Sequence, residues 1–175
     1  VYVQQSAGRL LRASFEIALS RGWAALASRA LALCKMVDHR VWSSHSPLRQ
    51  FRVVPSETCR KLEQKEMPWS RLFDLKPHDL GELVRVPKQG KLLHRMVHQF
   101  PRLEVEASVQ PITRAIVRIE LALTPAFNFV ADVHGARESF WVIVEDVDNE
   151  RVLHHELFVL KAACVLDLSL IHISE

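Results

Sequence analysis

The placement of proline restricts this chain more than any other feature of its sequence. None occurs before Pro47, and from Pro55 onward prolines fall at 68, 77, 87 and 101, every nine to fourteen residues. A proline ring removes a backbone donor and collides with the preceding turn, so helices tolerate it only at their start. The stretch from Pro47 to Pro101 can therefore hold only short helices. These are expected over Ser56–Glu66, Trp69–Leu75, His78–Arg85 and Gly90–Phe100, with Val86-Pro87-Lys88-Gln89 as a tight turn. Upstream there is room for two longer helices. Ala7, Leu11, Phe15 and Ala18 recur at spacings of four, four and three and predict a helix from about Gln4 to Ser20, stopped at Gly22. Leu26, Ala30, Leu33, Cys34, Val37 and Val41 predict a second from about Trp23 to Val41, with Cys34 as a small buried residue. Two helices alone cannot close a core, so they read as the end of a larger bundle.

Beyond Pro101 the apolar period changes to two. Leu103, Val105, Ala107 and Val109 alternate with Arg102, Glu104, Glu106 and Ser108, the pattern of a half-buried strand. Val117, Ile119, Leu121 and Leu123 predict a second strand. Phe140–Val144 and Val152–Leu160 flank the polar run Asp146–Glu150 and predict a hairpin. Four strands fall short of the roughly seven of an immunoglobulin-like sandwich, so an incomplete sandwich with an exposed edge is expected. The expected fold class is α+β. An all-α N-terminal part, with the end of a bundle over 1–46 and a helix-loop-helix subdomain over 47–101, precedes a partial immunoglobulin-like β domain over 102–163.

Charge divides the chain at the same place. Residues 1–100 carry 17 Lys and Arg against 8 Asp and Glu, a balance of +9, whereas residues 101–175 carry 6 against 12, a balance of −6. The basic half suits a polyanion such as RNA, and the acidic half suits protein. Sixteen of the 23 basic residues are Arg, the side chain that grips phosphate bidentately. Cys34, Cys59 and Cys164 show no CxxC spacing and cannot all pair internally, which fits reduced thiols in a cytosolic or nuclear setting. The longest run free of charge, Leu121 to Ala131, contains Pro125 and is far short of the ~20 residues of a membrane span, so no membrane partner is expected. Val1 stands where a start methionine would and no signal-peptide run follows it, so the chain reads as a piece of a longer protein.

Catalytic chemistry finds little support. No GxxxxGKS or GxGxxG loop occurs, so the chain is expected to bind no ATP by itself. His94 and His98 have zinc-helix spacing, but Arg95 stands where HExxH has its glutamate and no third ligand is evident. His154 and His155 are adjacent in a strand and point to opposite faces. The acidic run at 145–150 lacks the EF-hand glycine and reads as a solvated hairpin tip. Two features suit nucleic acid instead. Gln5, Ser6, Arg9 and Arg12 collect on one side of the first helix, where amide, hydroxyl and guanidinium groups at one-turn intervals can follow a sugar-phosphate backbone, with small Ala13 leaving room for the strand. Lys88, Gly90 and Lys91 form a basic Pro/Gly corner where glycine would admit a phosphate to the backbone.

The strings QQSAGRLLRASFEIALSRGWAALASRALALCKMVDHRVW, SPLRQF, DLGELVRVPKQGK, HQFPRLEVEASVQPITR, DVHG and FWVIVEDVDNERVLHHELFVLKA cover nearly everything from Tyr2 to Ala162. Together they closely resemble the Sec-63 homology region of the spliceosomal Ski-two-like DExH-box RNA helicases. The resemblance implies a helical bundle, a helix-loop-helix subdomain and an immunoglobulin-like domain. It also implies that the first helix acts as a ratchet helix along single-stranded RNA, with Ser6 and Arg9 at strand-facing positions and Gln5 and Arg12 following by helical geometry. Lys88, Gly90 and Lys91 would guide the emerging strand. The parent would be a nuclear helicase using ATP and magnesium to separate the paired U-four and U-six small nuclear RNAs. Its own motor domains and other spliceosomal proteins would be further partners. No cofactor is expected in this stretch. The related helicase of the activating signal cointegrator complex shares SPLRQF and QPIT, and an endoplasmic-reticulum translocon component carries the same region. In either, the module would be a protein-docking scaffold. After Ala163 the residues CVLDLSLIHISE depart from the family pattern, and 164–175 are expected to be a non-native tail without function.

Overall fold

A computed structural model of the chain describes residues 2–114, 116–162 and 171–174, with 2–5 and 171–174 described as backbone alone. The fold is α+β, with helices up to Val97 and two small antiparallel sheets after it. Two compact units form. One comprises residues up to Met96 with Trp141–Phe158, and the other comprises Val97–Phe140 with residues from Val159 onward.

In the first unit, α1 (Tyr2–Ser20) and α2 (Ala24–His39) form an antiparallel pair, turned at Gly22 with a φ of 71°. Phe15, Ala18 and Leu19 of α1 bury against Ala27, Ala30 and Cys34 of α2. The expected inward face of α2 is corrected here. Leu26 and Leu33 point outward at 51% and 42% exposure, and the buried stripe is Ala24, Ala27, Ala30 and Cys34. Because α2 is apolar almost all round, periodicity fits either orientation. Small side chains at these positions let the two backbones approach closely, with Leu31 packed at the margin of the cluster.

The tip of the hairpin formed by β3 (Arg137–Glu145) and β4 (Val152–Lys161) packs on this helix pair. Ile143 and Val152 join its core, and Trp141 meets Phe15 edge-on at 5.2 Å. The Ala24 N–H donates to the Glu150 carbonyl at 3.2 Å, and the Val152 N–H donates to the Gly22 carbonyl at 2.9 Å. One of the free donors at the start of α2 is thereby satisfied by the hairpin, where no capping side chain does so. The acidic run is thus more than a solvated tip. Its Asp146 carboxylate accepts from the Glu150 N–H at 2.8 Å and closes the turn.

Proline organises the rest of this unit as expected, though with shorter elements. A 3-10 turn at Pro47–Gln50 is followed by α3 (Ser56–Glu63), a second 3-10 turn at Trp69–Phe73, α4 (Pro77–Leu83), a third at Pro87–Gln89 and α5 (Gly90–Val97). One carboxylate ties the first turn to α3. Glu63 accepts both guanidinium donors of Arg49, at 2.7 and 2.8 Å, and the Ser46 N–H at 2.7 Å. The Arg49 hydrogen bond, aided by that of Ser46, holds the Glu63 carboxyl down at about 2. The corner between α4 and α5 depends on glycine. A Cβ on Gly81 would stand 2.9 Å from the Pro87 backbone, and one on Gly90 would collide with the Pro77 carbonyl.

In the second unit β1 (Leu103–Pro111) pairs with β2 (Val117–Pro125), which pairs in turn with β5 (Ile171–Ser174). The register sets Val105 against Leu123, Ala107 against Leu121 and Val109 against Ile119, so the apolar residues share one face. β1 was expected to be half-buried and is not, since Val105 and Val109 are 58% and 61% exposed. Alternation reports that a strand has an apolar face, and this face is covered only in part, with Leu123 of β2 buried at 2% while Val105 and Val109 of β1 stay open. A short helix, α6 (Ala131–His134), ends in buried His134. Its Nδ1 lies 2.9 Å from the Val130 N–H and its Nε2 2.6 Å from the Gln99 carbonyl. Within the expected tail, residues 164–170 and 175 lie outside the described residues, and the backbone of 171–174 forms β5.

Two expectations follow. Gly90→Ala should destabilise the chain by about 3 kcal/mol through overpacking, whereas Gly8→Ala, inside α1 with its nearest neighbour at an ordinary 3.6 Å, should stabilise it by about 0.5–1 kcal/mol. Urea titrations of both variants check the opposite signs. The depressed Glu63 carboxyl contributes stability that is complete above the ordinary value of 4.5 and lost as pH falls toward about 2. Glu63→Gln should remove on the order of 2 kcal/mol of that acid-side dependence, read from denaturation midpoints across pH 2–6.

Candidate nucleic-acid interface

Helix α1 carries the first group of expected contacts, and its packing onto α2 decides which of them are available. With about 100° between successive residues, the buried positions Phe15, Ala18 and Leu19 define the inner side, and Arg9 with Ala13 and Ser20 lies on the outer one. Arg9 is exposed and has no ion-pair partner among the described residues. Ser6 is half-buried at the start of the described side chains, and the Gln5 side chain lies outside them.

Arg12 sits apart from this outer strip. Its guanidinium reaches across to Asp38 of α2 at 2.7 Å, with both side chains largely exposed. The hydrogen bond and the charge of Asp38 raise the pKa of Arg12. Gly8, one turn before Arg12, is buried opposite the same carboxylate. The arc from Gln5 to Arg12 therefore has an acid at one margin. Spacing within α1 could not reveal Asp38, which lies 26 residues away.

At the second expected group, Lys88 and Lys91 are exposed and Gly90 is buried. The reason for a glycine differs from the one expected. The open side of Gly90 is filled by the Pro77 carbonyl, and its N–H donates to the Pro87 carbonyl within the chain. The residue serves the close approach of α5 to α4, and no space for a phosphate remains there. Folding brings further cations near this corner that no linear pattern linked to it. Lys61 and Lys65 from the end of α3 and Arg85 after α4 line one cleft. The link is a hydrogen bond from Thr58 of α3 to the Gln89 side chain, at 2.6 Å.

Among the described residues no group of three or more His, Cys, Asp or Glu is placed to hold a metal ion. Cys34 and Cys59 are buried, and burial pushes both thiols up, which leaves them inert at neutral pH. No helix is long and apolar enough to cross a membrane among the described residues.

Residues 1–172 match the family model of the Sec63 Brl domain. The chain belongs to that family. It is 58% identical over 161 residues to the U5 small nuclear ribonucleoprotein 200 kDa helicase of Drosophila melanogaster, covering 92% of this chain and 8% of the relative. The protein of the same name from Homo sapiens is 54% identical over 171 residues, covering 98% and 8%. The pre-mRNA-splicing factor brr2 of Schizosaccharomyces pombe is 56% identical over 160 residues, covering 91% and 7%. This Sec63 Brl chain thus spans less than a tenth of the length of these relatives. The family match passes Ala163 and reaches into β5.

Within the Sec63 Brl domain the Arg12–Asp38 pair is solvent-screened, so its stabilising effect is small. A double-mutant cycle of Arg12→Ala and Asp38→Ala should give a coupling of about 0.5 kcal/mol that disappears in high salt. A coupling above about 2 kcal/mol would mean that the pair organises α1 and α2 instead of merely decorating them.

Proposed function

We propose that this Sec63 Brl domain is the RNA-guiding accessory module of a spliceosomal DExH-box helicase, in which α1 lies along a single RNA strand. The observation that carries the reading is the 53–58% identity to proteins named as U5 ribonucleoprotein helicases or as a pre-mRNA-splicing factor, sustained across nine-tenths of the chain. Exposed Arg9 and the basic balance of the helical half support it. The module contributes no motor. ATP and magnesium belong to the parent helicase, which acts in the nucleus and whose substrate is the paired U-four and U-six RNA. The bundle end over 1–46, the helix-loop-helix part over 47–101 and the β part over 102–163 are its working divisions, and the acidic β part braces it against the parent's motor domains or other spliceosomal proteins.

Ser6 and Arg9 make the primary strand contacts, with Gln5 beside them and Lys88 and Lys91 engaging the strand further on. Arg12 contributes less than spacing alone suggests, because contact with a phosphate requires it to leave Asp38. A contact to phosphate positions the strand and reads no base, so guidance by these groups is sequence-independent.

In the intact helicase, Arg9→Glu should slow duplex unwinding about tenfold while RNA-free ATP hydrolysis stays within twofold of normal. Arg12→Glu should slow unwinding by less. Unwinding that survives both reversals unchanged would favour the other reading, a protein-docking scaffold, for which the exposed Leu10 and Ile17 of α1 speak.

A further inference from the structure

The cleft at the junction of α3 and α4 has no counterpart in the expected contacts. It encloses about 330 Å3 and is lined by Lys61, Gln64, Lys65, Leu83, Val84 and Arg85. Three of the six are cationic, from segments about twenty residues apart in sequence, and none is acidic. Lys61 is already half-neutralised by Glu57 at 3.3 Å and sits in the last turn of α3, where the helix dipole favours a cation. That explanation does not extend to the other two. Lys65 and Arg85 lie past the last residues of α3 and α4, both are exposed, and neither has an ion-pair partner among the described residues. Cations that converge on one concavity without a counter-charge repel each other, and an anion in the cleft removes that repulsion.

We infer that the Lys61, Lys65 and Arg85 cleft binds a backbone phosphate of single-stranded RNA, as a second grip on the strand engaged by α1. The inference rests on the RNA reading above and adds a site to it. Nucleic acid fits better than an acidic protein segment for three reasons. Arg85 offers a planar fork suited to phosphate oxygens. Gln64 supplies a neutral amide of the kind that contacts sugar hydroxyls. The Thr58–Gln89 hydrogen bond also holds the cleft on the same small body as exposed Lys88.

The backbone at Arg85 provides a clean variant. Its φ of 56° is left-handed, a conformation in which glycine is at ease and arginine is not. Arg85→Gly therefore deletes the charge while relieving the backbone, and with Lys65→Gln it should leave the thermal midpoint unchanged or higher. The assay uses the 175-residue chain and a fluorescent oligouridylate of about 12 nucleotides, followed by anisotropy across a salt series. The double variant should bind five- to tenfold more weakly at low salt. Its slope of log affinity against log salt should flatten by about 0.7, the change for the one phosphate that is no longer neutralised.

Arg9→Glu measured in parallel separates the two readings. Binding weakened by Arg9→Glu but unchanged in the cleft variant overturns the cleft and leaves the α1 reading standing. The reverse pattern supports the cleft and counts against α1. Absence of oligouridylate binding by the unmodified chain at low salt overturns both. Displacement of the oligouridylate by a polyglutamate of equal charge and at equal concentration would assign the cleft to acidic peptides and overturn the inference as well.

Discussion

The surface that α1 can offer depends on how closely α2 lies against it. Alanines at 24, 27 and 30 with Cys34 make up the buried stripe of α2, and three of the four belong to one cluster with Phe15, Ala18 and Leu19. The small residues of α2 receive the large Phe15 and Leu19 of α1, with Leu11 and Leu31 packed at the margin, and rotating either helix would break that fit. That constraint fixes which residues of α1 face outward. It puts Arg9 in solvent and Arg12 within reach of Asp38, so two arginines three residues apart acquire different electrostatic settings. The hairpin tip reinforces the arrangement by bonding to both ends of the α1–α2 turn and by packing Ile143 and Val152 against the same cluster.

The parts that were legible in the sequence are those governed by local rules. The short helices between prolines, the turn at Pro87 and the change of period at Pro101 follow from backbone chemistry and appear in the structure with ends moved by a few residues. The inner face of α2 was not legible. A helix apolar on several sides has no preferred inner side until its partner is known, and here the partner selects small residues over large ones. The close approach at Gly90 was equally hidden, since a glycine before a helix looks the same whether it admits a phosphate or the Pro77 carbonyl. The hairpin was recognisable as a hairpin, but its docking on α1 and α2 joins residues more than a hundred positions apart.

Charge shows the same division. The basic surplus of residues 1–100 is visible in composition, yet its usable part emerges only after internal pairing. Arg49 is consumed by Glu63, Arg12 is partly held by Asp38, and Lys61 leans on Glu57. Arg9, Lys65 and Arg85 are exposed without ion pairs among the described residues, as are Lys88 and Lys91. Counting cations along the chain therefore overstates some candidates and misses others. The bidentate Arg49–Glu63 pair is the strongest of these couplings because its partners are the least exposed, 30% and 16% at their side chains. Its contribution is to hold the Pro47–Gln50 turn on α3.

The outer side of α1 is also divided within itself. Leu10 and Ile17, seven residues apart and so on one stripe, are 70% and 56% exposed, and the stripe of Ser6, Ala13 and Ser20 runs beside them toward Arg9. A helix lying only on RNA would have no use for exposed leucine and isoleucine, and one buried only in protein would not leave an arginine without a partner. An apolar strip beside a small and cationic strip suits a helix wedged between a protein wall and a polyanion. In the proposed RNA-guiding role, each strip would meet the surface that removes its cost, with apolar area leaving water on one side and charge meeting phosphate on the other.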